Sequence, residues 1–381
     1  MAVLRWRQAL RCGPYVQFLQ KSWGFDHIRD ALTISVTVRI AFMTRIVYIE
    51  RSSKEMYRLY MDNIVCACGA SAVELYRSSK RLIPTLLDKP RTGLVSGLSV
   101  PPRQFLADDM AAHGVTAHPY HILVDGNRGY NPRSDISPTS CYRALPPRGL
   151  IKVDPCFWTT GPELTYIQAA SDATLSDIYI ITLGYELCGT YVLDDSWDGL
   201  TCTDEPLTST KKIERFMGSV HRIAGIRRAR TMIKYVHDMS NSPMETVLAM
   251  LVSLPTTMGG LGLGPIRMNY PVSTPVGHRR IDIGLPRQHV GLEYQGKQFH
   301  SIEAAGRDAR RQNKIAGSGF TILNVWYEDL VDDHLFQQLT VDLFRALGTR
   351  KRIRTQGYDT LQKLLRMQLM PAVRKYGGNE F

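Results

Sequence analysis

Residues 279 to 300, Arg-Arg-Ile-Asp-Ile-Gly-Leu-Pro-Arg-Gln-His-Val-Gly-Leu-Glu-Tyr-Gln-Gly-Lys-Gln-Phe-His, constrain this chain more than any other stretch. Ile281, Ile283 and Leu285 alternate with Asp282 and Gly284, and Val290, Leu292 and Tyr294 alternate with Gly291, Glu293 and Gln295. Period-two alternation sends successive side chains to opposite faces, so the segment reads as two strands. With Pro286 to His289 as a four-residue loop, Leu285 faces Val290, and counting back puts Asp282 opposite Glu293. Like charges facing each other across paired strands repel. The pair therefore calls for a positive partner, and a divalent metal held by oxygen ligands is the natural candidate.

Asp282, with Glu293-Tyr-Gln295 on the next strand, resembles the metal site of the PD-(D/E)XK nuclease fold. Glu293-Tyr-Gln-Gly, His300, Arg307-Asp308, Arg311, Gly319-Phe320 and Val325-Trp326 sharpen the likeness to its very-short-patch-repair endonuclease branch and the uncharacterised bacterial relatives of that branch. The resemblance covers about residues 240 to 345. It implies a restriction-endonuclease-like mixed sheet flanked by helices, an α/β fold, on the C-terminal side of an α+β N-terminal region. It also implies a metal-dependent DNA endonuclease of repair or defence. Glu245, in Ser242-Pro-Met-Glu-Thr246, occupies the place of the preceding-helix glutamate, so Glu245, Asp282 and Glu293 would hold Mg²⁺ or Mn²⁺. Asp282, Glu293, Gln295 and His300 would be catalytic, with His300 relaying a proton. Lys297, Arg307, Arg311 and Lys314 would contact DNA, expected to be double-stranded. Gln295 stands where the broader fold usually carries Lys, and this motivates a second reading: a catalytically silent DNA-binding regulator or antitoxin of the abortive-infection type, with a cognate toxin or defence partner. Residues 160 to 191 bear a weaker likeness to the middle of such antitoxins.

Plainer roles compete at each position. Ser242, Pro243 and Glu245 form a capping-box pattern with Pro at the first helical position. Met244, Val247, Leu248 and Leu251 then recur as on a helix burying one face. Asp282 could pair with Arg279 or Arg280, and Glu293 with Lys297. His300 suits a helix entry. Arg307, Arg310, Arg311 and Lys314 suit a solvated helix face as well as a row of phosphate contacts. Residues 303 to 316 lack Pro and end at Gly317 and Gly319, which predicts a helix with a glycine stop. Phe320 to Tyr327 is a nearly continuous apolar run, predicting a strand buried on both faces and parallel to its predecessor. Leu335 to Leu347 follows as a covering helix, with Leu335, Phe336, Leu339 and Leu343 on its apolar side.

Charge is unevenly spread. The chain of 381 residues carries a net charge of +12. Lys and Arg outnumber Asp and Glu ten to four in residues 1 to 60, eight to one in 211 to 234 and seven to two in 351 to 381. Residues 242 to 350 are nearly balanced, eleven against ten, which suits a polyanion gripped by basic flanks. The implied organisation is a basic extension over 1 to 60, with the ordered protein expected to begin near Met61, and an α+β region over 61 to 210. A basic helical linker over 211 to 241, the nuclease-like domain over 242 to 348 and a basic tail over 349 to 381 complete it. In 61 to 110 a helix-turn-helix would strengthen the regulator reading, with one helix within Ala70 to Leu87. No apolar run reaches the length of a membrane span; residues 31 to 49 come nearest but contain Arg39 and Arg45. Membrane partners are therefore not expected. Seven cysteines without zinc spacing suggest reduced thiols in a cytoplasm. Gly259 to Gly264 lacks the closing Gly-Lys-Ser/Thr of a phosphate loop and reads as a flexible connection.

Overall fold

The computed structural model describes residues 64–78, 86, 88–126, 133–194, 199–220, 222–274, 277–296, 319–350 and 352–374. The chain divides into two compact units, Met1–Leu75 with Lys89–Thr160, and Tyr76–Asp88 with Gly161–Phe381. The division falls after Thr160 instead of near residue 210.

The first unit is built on a six-stranded mixed sheet. Its strands are β1 (Val65–Ala67), β2 (Arg91–Thr92), β3 (Tyr120–Asp125), β4 (Ile136–Cys141), β5 (Leu150–Lys152) and β6 (Phe157–Thr160), in the order β2-β5-β6-β1-β3-β4. Interior β1 and β6 are buried throughout, as their unbroken runs of apolar and small residues require. Cys66 and Cys68 are both buried without a disulfide. Helix α1 (Gly69–Ser78), across which the unit boundary runs, begins at left-handed Gly69, and α2 (Arg103–Ala112) follows β2. The expected helix within Ala70 to Leu87 thus exists, with Val73 and Tyr76 buried. The helix-turn-helix expected in 61 to 110 falls partly outside the described residues: between α1 and α2 stand helical Leu86 and Asp88, strand β2 and the undescribed residues 79–85 and 87.

In the second unit α3 (Pro162–Ser171) and α4 (Asp177–Cys188) are buried nearly all round, including Tyr166, Ile167, Ile181 and Tyr185. A helix without a wet face has no clear apolar period, so this stretch is ambiguous in sequence. A hairpin of β7 (Tyr191–Asp194) and β8 (Gly199–Cys202) follows. The expected basic linker is instead part of the core. Helices α5 (Thr210–Ser219) and α6 (Ile226–Met232) both pack on α3 and bury Ile213, Phe216, Met217, Ala229 and Met232. Lys211, Lys212, Arg215, Arg227 and Arg230 are exposed, while half-buried Arg228 donates to Asp177 Oδ1, Asp172 O and Leu175 O.

Helix α7 (Pro243–Ser253) buries Met244, Val247, Leu248 and Leu251, but all the other residues from Pro243 to Val252 are buried as well, so it is enclosed all round and not on one face as the periodicity suggests. The glycine run after it is not loose. Leu261 N–H donates to Leu251 O at 2.8 Å and Leu263 N–H to Val252 O at 2.9 Å, folding the run back along the helix. A Cβ on Gly260 would lie 2.1 Å from Leu254 O, so the close approach requires glycine.

The chain then enters a four-stranded sheet of β9 (Arg267–Thr274), β10 (Gly277–Leu285), β11 (Val290–Tyr294) and β12 (Thr321–Val325), in the order β12-β11-β10-β9. The first three form an antiparallel meander and β12 joins parallel to β11. Contrary to the expectation of burial on both faces, β12 is an edge strand, half-buried along Ile322 to Asn324, and Trp326 is exposed. Apolar content alone does not separate an edge from an interior position. The helix expected over 303 to 316 lies outside the described residues. Helices α8 (Tyr327–Val331), α9 (Asp333–Ala346) and α10 (Tyr358–Arg374) complete the unit. Phe336 and Leu343 of α9 are buried, with Leu335 and Leu339 half-buried. The supposed C-terminal tail forms α10, which packs on α7 and α4 through buried Leu365, Leu369 and Met370. Arg366 of α10 donates to Leu330 O and Val331 O at 3.2 and 3.1 Å, and pairs with Asp333. Among the described residues no helix is long and apolar enough to cross a membrane.

Candidate functional site

β9 and β10 stay in register from Gly277–Thr274 to Gly284–Arg267, but β10 and β11 pair only at Ile283–Leu292, Gly284–Gly291 and Leu285–Val290. Leu285 meets Val290 across the four-residue loop. The ladder stops one residue short of Asp282 and Glu293. There Tyr294 N–H donates to Asp282 Oδ2 at 2.9 Å, so a side-chain oxygen replaces the carbonyl a ladder would offer. The expected direct pairing of the two acids is therefore corrected to a fork: β10 and β11 part where their carboxylates would collide.

Glu245 comes from the start of α7. Ser242 caps the helix, its hydroxyl accepting from Glu245 N–H at 3.1 Å, and Glu245 Oε2 accepts from Asn241 N–H at 2.9 Å. The reciprocal bond of a capping box normally reaches the cap residue itself; here it reaches one residue further back. The capping role is thus real. It does not account for the surroundings of the carboxylate. Burial first, and then the charge of Asp282, push the Glu245 carboxyl up to about 8, against hydrogen bonds from Asn241, Ser242 and Asn269 that pull it down. Two acids at this range disfavour joint ionisation unless a cation intervenes.

Asn269 completes the support. It sits at the β9 position across from Asp282, in the left-handed region at φ +46° and buried. Asparagine tolerates that conformation better than most residues. Its Oδ1 accepts from Asn241 Nδ2 at 2.6 Å and its amide donates to Met239 O. A second set of bonds ties the helix start to β7: Tyr191 OH and Ser240 Oγ meet Thr246 Oγ1 at 3.0 and 2.9 Å, and Thr190 Oγ1 donates to Asn241 Oδ1 at 2.6 Å.

Glu293 is buried, 4% exposed, on the central part of the sheet. Gln295 stands just past the end of this strand. Its N–H donates to Val325 O at 2.8 Å and its Nε2 to Asn324 Oδ1 at 2.8 Å. Asn324 itself lies across from Glu293 in the parallel ladder, which fixes where the Gln295 amide can point.

Of the expected site residues, Glu245 and Asp282 are brought together, while Glu293 and Gln295 lie on either side of Tyr294, whose N–H binds Asp282. His300, Lys297, Arg307, Arg311 and Lys314 lie outside the described residues. As placed, no three His, Cys, Asp or Glu side chains among the described residues converge closely enough to hold a metal ion. Sequence reasoning missed Asn241, Asn269 and Asn324, because a lone asparagine in a strand or before a cap carries no chemical signature of its own. The polar run Ser240-Asn-Ser-Pro243 was the one available signal, and only its cap was legible. No family model, no curated protein and no solved structure matches this chain.

Proposed function

We propose that the second unit is a metal-dependent DNA endonuclease of the PD-(D/E)XK type, hydrolysing a phosphodiester bond at Glu245, Asp282 and Glu293. The supporting topology is a helix, a three-stranded meander and a fourth strand parallel to the third. The observation that carries the reading is the pairing of Glu245 with Asp282, two carboxylates close enough for one to raise the proton affinity of the other. A structural acid is usually met by a donor or a cation; one that faces a second acid is suited to share a divalent ion. The donor set is oxygen only and fits a hard cation such as Mg²⁺ or Mn²⁺. When bound, that ion would supply the positive charge that polarises the scissile phosphate and eases ionisation of the attacking water. The chain's own contribution is placement. The Ser242 cap and Asn269 hold Glu245, Tyr294 N–H holds Asp282, and Asn324 orients the Gln295 amide toward water or phosphate. His300 would relay the proton.

The test is nicking of supercoiled plasmid with Mg²⁺ or Mn²⁺. Wild type should relax the plasmid and D282A should not; equal activity of the two removes the proposal. Gln295, a neutral residue locked to Asn324, favours one alternative, a silent DNA-binding regulator. That reading calls for a metal-independent mobility shift and no cleavage with any cation.

A further inference from the structure

Between Arg267 and Ile281 the chain holds three arginines, Arg267, Arg279 and Arg280, and no Asp or Glu. β9 and β10 pair over this stretch from Ile281–Tyr270 to Gly277–Thr274, whereas β11 pairs with β10 only from Ile283 onward. Among the described residues the hairpin therefore continues beyond the fork at Asp282 as a two-stranded ribbon. Five paired residues at the strand rise give it a reach of about 17 Å. Its two faces differ sharply. Val272 and Ile281, with half-buried Tyr270, pack against Phe320 and Ile322, which anchors the ribbon. On the alternate positions Pro271, Ser273, His278 and Arg280 are exposed. Arg280 Nη1 reaches Asn269 O at 3.4 Å, tying this guanidinium to the residue that supports Glu245.

We infer that this ribbon is a contact for B-form duplex DNA, with Arg280 set on a backbone phosphate. A solvated hairpin normally mixes both signs of charge, while this one carries only positive charge and leads directly into the acid cluster. A two-stranded ribbon fits the B-form major groove, which is about 12 Å wide, whereas the A-form groove of duplex RNA is too narrow to admit one. Guanidinium matches phosphate with two parallel hydrogen bonds. The inference rests on the nuclease reading for setting that phosphate beside the one cut.

The experiment is fluorescence anisotropy with a short mixed-sequence DNA duplex in EDTA, titrated with KCl, using wild type, R280A and R280K. An RNA duplex of the same sequence is run in parallel, and plasmid nicking with Mg²⁺ is measured on the same proteins. R280A should weaken DNA binding about five- to tenfold near 0.1 M salt and lower the salt slope by about one, as loss of one phosphate contact requires. R280K should recover most of the affinity, and RNA should bind more weakly than DNA. An R280A protein with wild-type affinity and slope overturns the inference, as does RNA bound as tightly as DNA. If wild type nicks and R280A binds normally, the ribbon contact alone falls. If the Arg280 effect is present but wild type never nicks, the cutting reading falls and the ribbon stands as a DNA contact.

Discussion

Asp135 and Asp154 in the first unit each sit beside a basic side chain: Asp135 accepts from Arg133 Nε and Nη2 at 3.0 Å each, and Asp154 Oδ2 meets His113 Nε2 at 3.0 Å. Glu245 in the second unit is held by Asn241, Ser242 and Asn269, all neutral, and faces Asp282. The directions of proton affinity follow. Burial alone would raise all three acids, but Arg133 and Arg103 bring Asp135 below its ordinary value, and His113 with two backbone N–H groups does so for Asp154. Nothing in the surroundings of Glu245 outweighs its burial. A carboxylate placed against another carboxylate suits a shared positive partner, whereas the acids of the first unit are already met by basic side chains.

The largest expected effect breaks that comparison at its centre. D282N keeps an oxygen to accept from Tyr294 N–H while removing the charge, so the fork should survive. Removing one ionic ligand from a phosphoryl-transfer site should lower Mg²⁺-dependent nicking by about 10²–10³-fold. A D282N protein as active as wild type would place Asp282 with Asp135, as a structural acid.

E245Q comes next and is read by thermal unfolding. The folded-state value of about 8 lies above the ordinary 4.5, so the folded chain holds this proton more tightly than the unfolded chain. Stability is then fully present below about 4.5 and is lost as pH rises towards 8. E245Q keeps an acceptor for Asn241 N–H and carries no charge. It should therefore exceed wild type by about 2–4 kcal/mol at pH 9 and match it to within about 1 kcal/mol at pH 5. Saturating Mg²⁺ should raise the melting temperature of wild type alone. The idea fails if E245Q is the less stable protein at pH 9.

The two kinds of acid were not equally legible in sequence. Asp282 and Glu293 could be placed on adjoining strands because loop length and alternation fix register, and Ser242 and Glu245 announce a helix start. The fork was not readable, since it depends on the Asp282 carboxylate taking a ladder bond from Tyr294. Asn269 was invisible for a related reason: its role comes from a left-handed backbone in mid-strand, which no period records. Larger misreadings arose wherever charge was taken as a sign of exposure. The segments read as a basic helical linker, 211 to 241, and a basic tail, 349 to 381, both contain packed helices, with Phe216, Met232, Leu365 and Leu369 buried. A long cationic side chain reaches water from the flank of a packed helix, so local charge says little about whether its helix is in the core.

In the first unit, D154N tests the cation-paired kind. The lowered value of Asp154 gives stability that is present above about 3.8 and lost as pH falls through the shifted value. His113 works in the other sense. Burial lowers its affinity for a proton, but Asp154, Asp109 O and their charges raise it overall, so its share is present below about 6.5 and fades as pH climbs. The advantage of wild type over D154N should therefore peak between about pH 4 and 6.5. Asp154 is 40% exposed, so solvent screening limits the effect to about 1–2 kcal/mol. Urea unfolding at three pH values checks it; an advantage still growing at pH 9 would contradict the pairing.

The smallest effect separates the cap from the site. S242A removes the hydroxyl that accepts from Glu245 N–H and should cost about 1 kcal/mol, the usual loss for a helix cap. The hydroxyl also bonds the Glu245 carboxyl and favours its charged form, so the loss should be modestly larger at pH 9 than at pH 5. Nicking should fall far less than in D282N, because Asn241 N–H and Asn269 still hold the carboxylate. A loss that grows steeply with pH would mean that the hydroxyl chiefly shields ionised Glu245. Ser242 would then belong with Asn269 among the groups that make a double negative charge tolerable, and the line drawn here between helix start and acid site would have to move.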